Sequence, residues 1–176
     1  MTAYTFTVEV AVGSDTGPMA LQRLSVAFER AGDAVKDWGR FVFPRLVPVF
    51  EAAVEEQFAG RGAGPAGPWA PLSPTYAEWK ARKAPGMPLM ELSGNMREAL
   101  TRSSSPMAWR EWSADSFSFG TVGLSYVSHH QTGTSRMPAR PLFDFGPRFE
   151  VALMGAAQAG LREAIREGSR GTLEAA

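Results

Sequence analysis

Hydrophobic and polar positions alternate first with a period of two and then with a helical period. Tyr4, Phe6, Val8, Val10 and Val12 alternate with Thr5, Thr7, Glu9 and Ala11, which predicts a half-buried strand over residues 3–12. A turn segment, Gly13 to Pro18, follows. Leu21, Leu24, Phe28, Ala31, Val35, Trp38 and Val42 then step by three and four, a seam with heptad-like spacing. Helices are expected over about 19–58. Pro44 lacks an amide and clashes with the preceding turn, so a kink or break is expected near Gly39–Phe43. Leu46, Val49, Phe50, Ala53, Val54 and Phe58 carry the second helical segment.

Residues 60–72 read as a loop whose Gly60–Pro68 part is a flexible surface segment and whose Trp69 needs burial. Gly62, Gly64 and Gly67 match the G-x-G-x-x-G dinucleotide spacing, but they follow a helix, and Pro65 and Pro68 remove two amides that a pyrophosphate would need. Ser73 with Pro74 predicts a helix start, and that helix should stop before Pro85. Asn95 and Glu98 have capping-box spacing for a short helix to about Leu100. Met107 to Val122 reads as a hairpin turning at Ser113-Ala114-Asp115, with Phe117, Phe119 and Thr121 on one face. Trp109 and Trp112 fall on opposite faces. Tyr126, Val127 and His130 share the face of a short helix that Gly133 stops. Pro138 and Pro141 bracket Arg140 in a stiff, extended piece ending in Leu142, Phe143 and Phe145. Pro147 opens the last helix, 147–167, where Phe149, Leu153, Ala157, Leu161 and Ile165 recur every four residues. Ala152, Ala156, Gly160 and Ala164 form a small-residue ridge beside them, and Gly168 to Ala176 is expected to fray. The pattern predicts a single α+β domain over 1–176. Its small, mostly antiparallel sheet, made of the N-terminal strand and the hairpin, is packed by a long N-terminal helix and a C-terminal helix.

Three stretches in order resemble the virion-morphogenesis (tail-completion) family of tailed phages, the group that includes the G-type protein of phage Mu. They are Phe58 and Gly60 followed by Trp69-Ala70-Pro71-Leu72-Ser73 with Lys80; Leu92-Ser93-Gly94 within 89–97; and Tyr126, His130, Gln131 and Gly133 followed by Pro138-Ala139-Arg140-Pro141-Leu142-Phe143. The resemblance covers roughly residues 45 to 165. It implies no catalytic residues and no cofactor. It implies a structural role in tail completion or head–tail joining, in the virion at the head–tail junction and in the host cytoplasm during assembly. Implied partners are other neck and tail proteins (a connector, a tail terminator or the tail tube). A homo-oligomeric ring, six-fold by analogy, is expected, formed through the 21–42 seam and the 133–145 loop. A tail terminator or neck adaptor is the alternative within that class.

Composition alters this picture little. The 176 residues carry 18 Lys and Arg against 18 Asp and Glu, so no global charge favours nucleic acid or a membrane. The chain has no cysteine, no run of about 18 apolar residues and no basic, apolar leader at its start. His129 and His130 are adjacent and point about 100° apart on a helix, a poor arrangement for one metal, with or without Asp144. A small hydrolase using either histidine and a sequence-independent DNA-binding module are the readings from other classes. Arg136, Arg140 and Arg148 form a cationic group that either touches passing DNA or pairs with carboxylates of a neighbouring subunit. The second is favoured, because an arginine between prolines suits a bidentate contact. On that expectation Arg140→Ala leaves the fold intact and weakens assembly.

Overall fold

The computed structural model describes residues 38–114 and 116–174. The predicted strand 3–12, the turn at 13–18, the seam from Leu21 to Val35 and the turn residue Asp115 lie outside the described residues. Six helices and one hairpin are described: α1 (Trp38–Phe41), α2 (Phe43–Gly60), α3 (Pro74–Lys83), α4 (Asn95–Thr101), β1 (Ala108–Trp112), β2 (Phe117–Thr121), α5 (Tyr126–Thr132) and α6 (Pro147–Glu174). The fold is α+β, with a two-stranded antiparallel sheet among the described residues.

The chain breaks between α1 and α2 at Val42, where Pro44 forbids a continuous helix. Pro48 is tolerated inside α2 because it sits on the exposed side, where water reaches the carbonyl that it cannot bond. Val47, Phe50, Val54 and Phe58 form the buried face of α2 at steps of three and four. Ser73 precedes α3 with extended backbone and Pro74 opens it, as expected, although the Ser73 side chain makes no cap hydrogen bond. The Asn95 capping box is not formed. Gly94 occupies the cap position at φ 83°, a left-handed conformation that asparagine adopts less readily, and Asn95 is already helical.

The chain divides into two compact units. One holds residues 50–109 and 120–146. Its buried side chains include Phe50, Val54, Phe58, Trp69, Met96, Leu100, Val127 and Leu142. Phe58 and Trp69 meet edge to face at 5.6 Å, and Phe50 and Phe145 do so at 6.0 Å. Burying each such ring is worth about 1.5–3 kcal/mol.

The other unit holds the described parts of 38–49, 110–119 and 147–174. Phe41, Val42, Phe43, Ala157 and Ala164 cluster with Trp38, Leu46, Phe117 and Leu161 around them. A lone hairpin is marginal in water. Here Phe117 anchors β2 against Phe43 at 5.7 Å, and the turn carbonyl of Ala114 accepts from the Trp38 amide at 3.0 Å. Trp112 is the exposed tryptophan of β1.

Two expectations for the last helix are corrected. The buried stripe starts as Phe149, Leu153 and Ala157 but moves to Gly160 and Ala164, leaving Ile165 40% exposed. A strict four-residue repeat drifts about 40° per step on a helix of 3.6 residues per turn, so it cannot hold one face over five positions. The small-residue ridge is accordingly buried only in its second half, at Gly160 and Ala164. The helix also continues to Glu174 rather than ending at Glu167, because Gly168 and Gly171 cost only about 1 kcal/mol each and no proline intervenes.

Candidate functional site

The three motif stretches meet within the 50–109/120–146 unit. α5 ends at Gly133, whose amide donates to the His129 carbonyl at 2.9 Å. The chain turns back through an antiparallel bridge between Thr134 and Met137, and the Arg140 amide donates to the His130 carbonyl at 2.7 Å. Gln131 completes the loop: its Oε1 accepts from the amides of Leu142 at 2.8 Å and Phe143 at 3.1 Å. Phe143 is half-buried and edge-on to Phe145.

Arg140 is 3% exposed. Its Nε donates to the carbonyl of Ala70 at 2.7 Å and its Nη2 to that of Pro71 at 2.9 Å. The indole Nε1 of Trp69 returns a bond to the Pro141 carbonyl at 2.8 Å. This corrects the sequence-based expectation for Arg140. Its guanidinium is directed inward, onto the carbonyls of Ala70 and Pro71, rather than outward to a neighbouring subunit. Arg148, by contrast, is exposed, and it belongs to the other unit.

The 60–68 segment is a mostly exposed loop after Gly60, as expected, and several of its amides are bonded. The amides of Gly62, Gly67 and Trp69 donate to the carbonyls of Gln57, Gly64 and Arg61. Asp144 Oδ2 accepts from the Ala66 amide at 2.7 Å, and Gln57 bridges the Ala63 amide and the Asp144 carbonyl. Composition suggested mobility because its glycines and prolines bury little themselves. One of the partners that fix it, Asp144, lies 78 residues from Ala66.

A cavity of about 580 Å³ opens beside these ties. Of the motif residues, Leu72, Ser73, Leu92, Ser93, Gly94, Tyr126, His130, Pro138 and Arg140 line it. Trp69, Pro71, Gly133, Pro141 and Phe143 do not; the first, second and fourth form the tie that fixes Arg140. Lys80 and Glu91 stand in the wall with Arg97, Arg136 and His129. Lys80 is 6% exposed, and its Nζ donates to the carbonyls of Met87 at 2.9 Å, Pro88, and Leu89 at 3.4 Å. Burial lowers the pKa of Lys80, against the opposing field of Glu91. Burial also lowers that of Arg140. Glu91, the one carboxylate of the lining, is held by Arg97 Nη1 at 2.9 Å, and the same guanidinium binds Glu55. The Arg97 bond lowers the Glu55 pKa, and Glu55 raises that of Arg97.

His130 faces Tyr126 edge to face at 6.1 Å. Its Nδ1 is buried without a hydrogen-bond partner among the described residues. Burial, then Arg140, then His129 push its pKa below the usual value, so the imidazole is held neutral. Among the described residues no group of three or more His, Asp or Glu could hold a metal ion, and no helix is long and apolar enough to cross a membrane.

Sequence reasoning missed Gln57, Asp144, Glu55 and Glu91 as partners. Each is polar and buried or half-buried in a largely apolar unit. Only Gln57, at a position that continues the apolar face of α2, left a trace in the hydrophobic pattern. No protein-family model, curated protein or solved structure matches this chain.

Proposed function

We propose that this chain is a structural protein of a tailed-phage virion, acting in tail completion or head–tail joining by assembly rather than catalysis. One observation carries the reading. The stretches that resemble the tail-completion family are bound to one another, through Arg140 to Ala70 and Pro71, through Trp69 to Pro141 and through Lys80 to Leu89, and surround one cavity. Motifs that touch in this way belong to one structural unit. The cavity walls offer apolar and cationic contact surface, the chemistry of a protein interface.

In this reading the protein works within the virion, in contact with neck and tail proteins and with further copies of itself in a ring. A ring needs two different patches on each subunit. The cavity mouth is one candidate patch, and it replaces Arg140 in that role.

The test is removal of the coding sequence from the phage or prophage that carries it, followed by electron microscopy of the lysate. Filled heads and separate tails are expected, with joining restored by the purified protein. Normal numbers of joined, infectious particles without it would refute the proposal.

A further inference from the structure

We propose that the cavity bounded by α3, the 89–97 segment and the α5–Pro138 loop receives an acidic, aromatic-bearing peptide segment of a partner protein. That the segment belongs to a protein rests on the assembly reading; the chemistry of the cavity does not.

Charge is the first ground. Lys80 and Arg140 are both more than nine-tenths buried in the wall, and their hydrogen bonds go only to backbone carbonyls. Carbonyl dipoles satisfy their N–H groups but carry no net negative charge, and among the lining residues only Glu91 opposes the charge of Lys80. The only carboxylate of the lining, Glu91, is engaged by Arg97. Arg136 adds an exposed guanidinium with no partner among the described residues. The cavity is therefore positive in a chain of zero net charge. Fields from buried charges in such a cleft attract anions and raise association rates.

The second ground is the rim. Scattered exposed apolar residues are ordinary, whereas clustered ones mark contact surfaces. Tyr76, Leu92 and Tyr126 are exposed and line this cavity, and Trp79, also exposed, stacks on Tyr76 at 5.2 Å. That is half of the eight exposed large hydrophobic residues found among the described ones. Aromatic residues around a recess are the usual anchors of protein contacts.

These features choose among anionic occupants. Phosphate would leave the apolar rim uncovered. A nucleic-acid strand needs a row of accessible cations, but Lys80 and Arg140 are buried and committed to carbonyls. A short peptide satisfies both, with a carboxylate on Arg136 and an aromatic side chain against Tyr76, Leu92 and Tyr126. The volume, about 580 Å³, lies within the range of ligand pockets, about 300–1,000 Å³.

The test is selection of displayed random short peptides on the 176-residue chain and on its Arg136→Glu and Leu92→Asp variants. Both residues are exposed, and unchanged circular dichroism and melting verify folding. Selected sequences should pair Asp or Glu with an aromatic residue, and the best synthetic peptide should lose about tenfold or more in affinity on Arg136→Glu. No selected sequence, selection without acidic residues, or binding unaffected by both substitutions overturns the proposal. So does tighter binding of inorganic phosphate or oligodeoxythymidylate in parallel titrations. If acidic peptides bind as expected yet particles join normally without the protein, the cavity assignment stands and the assembly reading falls. If joining needs the protein but no peptide is selected, the reverse holds.

Discussion

Removing the Arg140 side chain should unlock the Trp69–Pro71 segment, and the cost can be worked from its contacts. The guanidinium makes two charge-assisted bonds, at 2.7 and 2.9 Å, to the carbonyls of successive residues. Bonds to charged groups contribute about 1.5–3 kcal/mol each, and the three-methylene stem of a 3% exposed side chain adds about 0.8 kcal/mol per group. Relief from burying a cation offsets several kcal/mol of this. Pro71 is exposed and Ala70 half-buried, so water partly replaces the lost donors. Arg140→Ala should therefore destabilise by ~3 kcal/mol. Arg140→Met, which keeps the stem and drops the charge, should cost ~1–2 kcal/mol. Arg140→Lys should cost more than Met, because it keeps the buried charge without a fork that spans both carbonyls. Urea unfolding measures the order, and exchange of the Trp69 indole proton, bonded to Pro141, reports local opening. An Ala variant within about 0.5 kcal/mol of the parent, or a Lys variant as stable as Arg, would refute the reasoning.

Three further outcomes are expected. Gly155 and Gly160 lie in α6, but a Cβ at Gly155 meets open space, whereas one at Gly160 would overlap the Phe41 carbonyl oxygen and sit 2.9 Å from its carbon. Gly155→Ala should then stabilise by ~1 kcal/mol and Gly160→Ala destabilise by ~1–3 kcal/mol in calorimetry; equal effects would contradict the close packing of α6 on α1. Gly64→Ala would overlap the Asp144 carbonyl and lie 2.6 Å from Gln57 Nε2, so amides of the 60–68 segment should exchange at least about tenfold faster in the variant. Unchanged protection would show that this tie does not hold the segment. The folded pKa of His130 lies below its usual value of 6.5, so between the two values the unfolded chain binds more protons. Stability should therefore be fully present above about pH 6.5 and fall as the pH drops below it, and His130→Gln should flatten that slope in melts from neutral to acidic pH; an equally steep slope in the variant would remove His130 as its cause.

What the sequence determined by itself is what local chemistry controls. Pro44 broke the helix at Val42, Ser73-Pro74 opened α3, Gly133 ended α5, and alternation placed β1 and β2, because each depends on a residue's own backbone freedom or on neighbours within one turn. The order of the motif stretches was legible too, and so was the rigidity that Pro138 and Pro141 impose on Arg140. Only the tertiary structure decided where Arg140 points. Its partners, the carbonyls of Ala70 and Pro71, carry no side-chain signature and lie about seventy residues away. In the 60–68 segment, whose composition spoke for freedom, the Gln57 contact is local but the Asp144 contact comes from 78 residues away. Backbone carbonyls are identical at every position, so no pattern of residues shows which of them a buried cation will find. For the same reason Lys80 and Arg140 could be read as charges from the sequence, but their meeting in one cationic cavity could not.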